Sequence, residues 1–382
     1  MRFAVLVVVL AAAVTQVHAS AFDFTSHAGM EASCGSLQRK TSAGLARDED
    51  RVAFALCESL ALAKDVATWV AQDAKRLNLA DTAERARVRE RLEGYLRRVS
   101  AVRVALERVK AGRPLFVVEP GTWAVDFNGD GLVSPGERHF FRTPKRGVAM
   151  RPMDIAVDEA QLLAMYASPV ILIDQSDVHW ALAYCNFAEA AMNLVLAYDL
   201  GGPGIDSLVL VDAERVRKVA YRRLLEGVRQ SVMLRASLLR ETDDDLEWIA
   251  NPRQSNTSFP LVMDETTFAT WASLLDEVQR LLAGKTLLGG QVDTGGLRGI
   301  ADLSLGICKP GEGLDLRSLF LSPLLRPLDR EALASRCAAP TKARPFTGLA
   351  ALASASIKRN AGRAPGEDPG EWTVIRHLYW VN

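Results

Sequence analysis

The stretch DEDRVAFALCESLALAKDVATWVAQDAKRLNL, from Asp48 to Leu79, carries Val52, Leu56, Leu60, Ala63, Val66, Trp69 and Val70 at the spacing of one helix face. The next stretch, Asp81 to Ala111, repeats the pattern with Val88, Leu92, Leu96, Val99, Val102 and Leu106 among many Arg and Glu residues. Two long amphipathic helices joined by a short turn form an antiparallel hairpin. The charges on the second helix read as a solvated face with pairing between residues four apart.

Outward from this hairpin the rhythm breaks at Gly112 and Pro114, and a short β-branched and aromatic passage follows, Leu115 to Val118 and Trp123 to Val125. Helical spacing resumes over Asp158–Tyr166, Asp177–Asp199, Asp212–Leu239 and Asp264–Ala283. Beyond Gly284, repeated Gly and Pro predict loops and short elements, with Trp372–Val381 a terminal extended segment. The expected fold is mainly α: an N-terminal helical hairpin over 22–114, a calcium-loop segment over 115–150, a helical core over 151–284 and a loop-rich region over 285–382 packing on that core. No internal repeat indicates a solenoid.

Arg2 followed by the apolar run Phe3 to Val14 and then by small residues is the pattern of a signal peptide, over residues 1–21. The overlapping patterns Val17-His18-Ala19 and Ala19-Ser20-Ala21 set the mature start at Ser20 or Phe22. An exported chain, periplasmic or secreted, is expected. His179, Asn186, Glu189 and Asn193 interrupt the apolar run Val178–Tyr198, which reads as a buried helix, so no membrane span is expected once the signal is removed. The 46 basic residues balance the 46 acidic ones, which excludes the electrostatic footprint of a nucleic-acid binder. Five cysteines leave at least one unpaired; if bridges form, Cys34–Cys57 and Cys308–Cys337 are the sequence-local pairs and Cys185 is a buried helical thiol.

The chemistry is concentrated in Asp126-Phe127-Asn128-Gly129-Asp130-Gly131-Leu132-Val133-Ser134-Pro135-Gly136-Glu137. A twelve-residue loop can wrap calcium, a hard cation, by offering oxygens at alternate positions. Asp126, Asn128 and Asp130 stand first, third and fifth; Leu132 offers a carbonyl, Ser134 a hydroxyl or a bridging water, and Glu137 both carboxylate oxygens. Gly131 permits the sharp turn between the halves. The stretch resembles the EF-hand family, and the resemblance extends to Val133 at the eighth place, which in that family contacts a partner loop. It covers these twelve residues alone. Pro120, Gly121 and Pro144 replace the flanking helices of that family, and no second loop is present. The resemblance therefore implies a fixed structural site for Ca2+, not a sensor that reorients paired helices.

The helix expected over Asp177–Asp199 carries a polar stripe of His179, Asn186, Glu189 and Asn193. With Asp174, Asp177 and Tyr184 it is the best candidate wall of a pocket. Four histidines in the mature chain, His27, His139, His179 and His377, offer little for a histidine metal centre. The run Asp243-Asp244-Asp245 reads as a solvated helix end. The common hydrolase, nucleotide and zinc-protease motifs are absent. The expected function is an exported binding or interaction module of the cell envelope, carrying structural calcium and engaging an envelope protein or a small ligand. The alternative is a calcium-supported hydrolase or other enzyme using polar groups of the 174–193 region.

Overall fold

The computed structural model describes residues 22–73, 77–110, 114–134, 137–138, 140–144, 160, 163–164, 166–199, 208–258, 263–289, 307–309, 312–324, 330–339 and 344–345. The expected signal peptide, the turn at Gly201–Gly204 and the terminal segment Trp372–Val381 lie outside these residues. Among the described residues 59% are helical and 9% are strand, so the chain is mainly α. No described helix is long and apolar enough to cross a membrane.

Helix α1, His27–Ser42, was not among the expected helices; it is capped by Ser26, whose side chain accepts from the Gly29 N–H, and is bonded to α2, Asp48–Gln72, through Cys34–Cys57. Asp48, Glu49 and Asp50 in the first turn of α2 complement its positive end. Helix α3, Thr82–Leu106, starts at the Asp81 cap and packs on α2. Arg98 pairs with Glu58 and Asp65, and Arg91 lies 3.7 Å from Asp73. Numbers fall on one helix as they rise on the other, so the two run antiparallel.

Helix α4, Gln175–Leu196, packs against both α3 and α5, Tyr221–Leu238, which continues from a π-helical turn at Arg215–Ala220. At the α4–α5 contact a Cβ on Gly227 would stand 2.5 Å from the Phe187 ring, so glycine sets how closely these helices approach. Helix α6, Glu265–Leu282, packs on α5 with Phe268 and Trp271 buried. Leu37, Leu60, Leu106, Val178, Leu182, Leu234 and Leu238 share one core with these aromatic rings.

Strands are short and pair two by two. Phe116–Val118 runs antiparallel to Ile171–Ile173 beneath the start of α4, and Thr143–Pro144 pairs with Tyr166–Ala167. Of the helix expected over Asp158–Tyr166 only residues 160, 163, 164 and 166 are described, and Tyr166 is strand. Past Gly284 the described elements are α7, Leu316–Leu321, α8, Arg330–Ala334, and two-residue strands, with Cys308 bonded to Cys337. Cys185 is free.

Candidate metal centres

The loop from Asp126 to Glu137 folds by hydrogen bonds from its own backbone. The two Asp126 carboxylate oxygens accept from the N–H groups of Gly129 (2.7 Å) and Gly131 (3.0 Å). Asn128 Oδ1 accepts from Asp130 (2.9 Å), and Asp130 Oδ1 accepts from Leu132 (2.8 Å). Asn128 Nδ2 donates to Asp130 Oδ2 at 2.9 Å. Glu137 closes the circle: Oε1 accepts from Phe127 (2.7 Å) and Asn128 (3.1 Å), and Oε2 from the N–H and hydroxyl of Ser134 (both 2.8 Å). Gly129 and Gly131 take φ of 75° and 87°, which an L side chain rarely adopts.

Burial acts to raise the pKa of Asp126 and of Glu137, but donors outweigh it at each and the net direction is down. At Asp126 the lowering comes from the Gly131 and Gly129 amides and the Lys64 charge; at Glu137 it comes from Ser134, Asn128 and Phe127. The loop therefore favours ionised acids at its two ends. Its acidic residues are Asp126, Asp130 and Glu137, and it contains no basic one. Asp126 accepts from backbone amides of the loop, and Asp130 from Leu132 and the Asn128 side chain. An all-oxygen donor set of this charge suits calcium.

Aromatic rings hold the segment in place. Phe127 lies 4.6 Å from Phe140 and 5.7 Å from Phe141, and Phe141 lies 5.1 Å from Trp123, which meets Phe24 edge-on at 5.4 Å. The loop's entry and exit thus converge on one cluster. Thr68 of α2 donates to the Phe127 carbonyl at 2.9 Å, and Ala124 N–H to the Phe24 carbonyl at 3.0 Å. Leu132 and Phe140 are exposed. Thr68 and Lys64 were not legible as loop neighbours, because helical spacing alone does not say what α2 faces.

The polar stripe of α4 lies inside the bundle. His179, Asn186, Glu189 and Asn193 are all buried. Glu189 takes the guanidinium groups of Arg103 and Arg223, each with an N–O distance of 2.7 Å. His179 Nδ1 meets Gln230 at 2.8 Å, while Asn186 and Asn193 donate to the carbonyls of Leu182 and Glu189. Burial is the largest influence lowering the His179 pKa. The same effect pushes the Cys185 thiol up to about 12, which disfavours its thiolate.

Asp174 and Asp177 stand at the start of α4 as a reciprocal cap. Asp174 Oδ1 accepts from the Ser176 and Asp177 N–H groups, and Asp177 Oδ2 accepts from the Asp174 N–H at 3.1 Å. The structure brings two glutamates here that sequence spacing did not reveal. Leu172 N–H bonds the Leu246 carbonyl at 2.9 Å, which draws the segment after α5 alongside the strand before α4. Oxygens of Asp174, Glu241 and Glu247 then all lie within 4.8 Å of one another. Burial, then the charge of Asp174, pushes Glu241 up to about 7. Burial, then the charges of Glu241, Asp174, Asp177 and Asp243, pushes Glu247 up to about 9. Asp177 is also raised well above the carboxylate range, by burial first and by Asp174 next. The exposed Asp244 nearby instead accepts from Ser255 and Asn256 and has a lowered pKa.

A separate cleft of ≈ 530 Å³ opens where α2 and α3 meet, lined by Trp69, Asp73, Arg87, Val88 and Arg91 among others, with Arg91 5.5 Å above the Trp69 ring. No protein-family model matches this chain, and no curated protein or solved structure matches it significantly.

Proposed function

We propose that the chain is an exported binding or interaction module whose loop 126–137 holds one structural Ca2+ of EF-hand type. The ligands in this reading are Asp126, Asn128, Asp130, the Leu132 carbonyl, Ser134 and Glu137. The observation that carries it is the closure of Glu137 onto Phe127, Asn128 and Ser134, which gathers every proposed ligand residue into one turn of chain. The ion adds positive charge among three acids and so opposes their mutual repulsion. Fixing the loop fixes the convergence of Phe127, Phe140 and Phe141 on Trp123, hence the segment's attachment to α2 and α1. The role is a clamp.

The N-terminal signal pattern and the two disulfides support an exported setting, periplasmic or secreted, where disulfides persist. Extracellular calcium modules bind with Kd of roughly 0.1–1 mM, so the site is occupied there without a signal. The helical surface of the N-terminal pair α2–α3 serves as the interaction hairpin for an envelope protein or small ligand. No chemistry is assigned to the Asp177–Asn193 stripe, whose groups are engaged in helix packing.

Isothermal titration of calcium into the chain tests the proposal. The expected result is binding weakened on the order of tenfold or more, about 1.4 kcal/mol or more, in Asp126→Ala and Glu137→Gln. Equal binding by the wild type and both variants overturns it.

A further inference from the structure

Asn128 is the only one of the chain's eight asparagines that is followed by glycine. The pairing matters because the backbone nitrogen of the next residue can attack an asparagine side chain, and glycine has no Cβ to hinder that approach. The other described asparagines each lack a condition for the attack. Asn186 and Asn193 are buried in α4, their amides donate to helix carbonyls, and they precede Phe187 and Leu194. Asn251 is buried and precedes Pro252, which has no N–H. Asn78 and Asn256 precede the bulkier Leu79 and Thr257. By contrast Asn128, Gly129 and Asp130 are all exposed to water, and Gly129 takes φ of 75°.

The geometry points to Asn128–Gly129 as a self-modification site, at which the ion-free loop converts its asparagine to aspartate or isoaspartate. The Gly129 nitrogen bonds to Asn128 Cγ, closing a cyclic imide, and the Cγ–Nδ2 bond breaks. Contacts already in place serve that step. Asp126 Oδ1 accepts the Gly129 N–H at 2.7 Å and takes its proton. The Asp130 N–H donates to Asn128 Oδ1 at 2.9 Å, where negative charge builds during the attack. Asn128 Nδ2 lies 2.9 Å from Asp130 Oδ2; water relays the proton to this departing nitrogen, which leaves as ammonia. Water then opens the imide. Breaking its Cγ–N bond gives aspartate, and breaking the bond to the main-chain carbonyl gives isoaspartate, whose chain runs through Cγ. Isoaspartate adds a backbone atom between the first and fifth ligand places, so Asp126 and Asp130 lose their register on one ion. The regulatory consequence rests on the reading of the loop as a calcium site. A bound ion engages Asp126 and Asn128 Oδ1 together and blocks the step. The loop is then a one-way switch: chains left without calcium lose the capacity to bind it.

The full chain is incubated at mildly alkaline pH with a chelator, and in parallel with calcium, while peptides covering residue 128 are followed by mass spectrometry. Without calcium, the expected result is a gain of one mass unit at Asn128 with release of ammonia, and no change at Asn186, Asn193 or Asn251. Isoaspartate is identified in the same peptide by fragmentation, and the aged chain should take up less calcium in proportion to it. Asn128→Asp, which carries no side-chain amide, should show no gain. With about 5 mM calcium and a Kd of roughly 0.1–1 mM, the empty loop becomes roughly 6- to 50-fold rarer, and conversion should slow by that factor. No gain at Asn128 in the ion-free chain, over a time in which a free peptide of residues 126–137 converts, overturns the site. An isoaspartate-containing chain that binds calcium as the fresh one does, or equal conversion with and without calcium in a chain that binds it, overturns the switch. Equal conversion in a chain that takes up no calcium overturns the calcium reading of the loop and leaves the modification site standing.

Discussion

The loop at 126–137 and the cluster at the start of α4 treat acids in opposite ways. In the loop, Asp126 and Glu137 each receive several donors from the surrounding chain, and their pKa values fall. In the cluster, Glu241 and Glu247 are brought to Asp174 by the Leu172–Leu246 hydrogen bond and the turn after α5, burial and neighbouring acids outweigh the donors, and the pKa values rise. The difference teaches that proximity of carboxylates alone says little. What matters is whether the backbone has supplied donors that keep them charged before any ion arrives. The loop keeps its end acids charged, whereas the cluster favours the protonated forms of its glutamates.

The largest test of this contrast uses Glu189 as the compensated case. Glu189→Ala removes the buried acid shared by Arg103 and Arg223, leaving Arg103 its pair with the exposed Glu107, and unfolding in denaturant should show a loss of about 3–5 kcal/mol. Glu241→Gln, removing an uncompensated acid, should change calcium-free stability in the opposite direction or not at all. If both substitutions destabilise alike, the distinction between the two buried environments fails.

A smaller effect separates the loop. With about 5 mM calcium and a Kd of roughly 0.1–1 mM, mass action adds about 1–2 kcal/mol to the folded state. Thermal melts with and without calcium should show that gain in the wild type. In Glu137→Gln that gain should vanish.

The smallest effect is one of pH. His179 has a folded pKa below its ordinary value of 6.5, so the unfolded chain binds the proton first. Its stabilising contribution is complete above that value and is lost as pH falls through the folded pKa. Melts of the wild type against His179→Gln should converge as the pH is lowered from neutrality. A constant difference across that range would mean that His179 does not titrate with unfolding.

How much of this was legible in the sequence follows from how far the argument had to reach along the chain. The helix faces of α2 and α3 repeat locally, and the loop's donors sit within twelve consecutive residues, so both could be read directly. The pairs Cys34–Cys57 and Cys308–Cys337 are sequence-local and are the ones bonded. Helix α1 was missed because it buries few large apolar side chains, Met30 and Leu37, and so lacks a strong stripe. The α4 stripe was visible as polar residues, but its partners Arg103, Arg223 and Gln230 belong to α3 and α5, and no spacing on α4 reveals them. Glu241 and Glu247 meet Asp174 only through the Leu172–Leu246 hydrogen bond and the turn beyond α5, which are tertiary facts.

The claim that calcium clamps the aromatic segment is tested most directly by hydrogen–deuterium exchange across residues 123–141, with and without calcium. Slower exchange with calcium on the order of tenfold or more is expected at the amides of Phe127, Asn128, Gly129, Gly131 and Ser134 in the wild type, and none in Glu137→Gln. Identical exchange of the wild-type segment in both conditions would contradict the clamp.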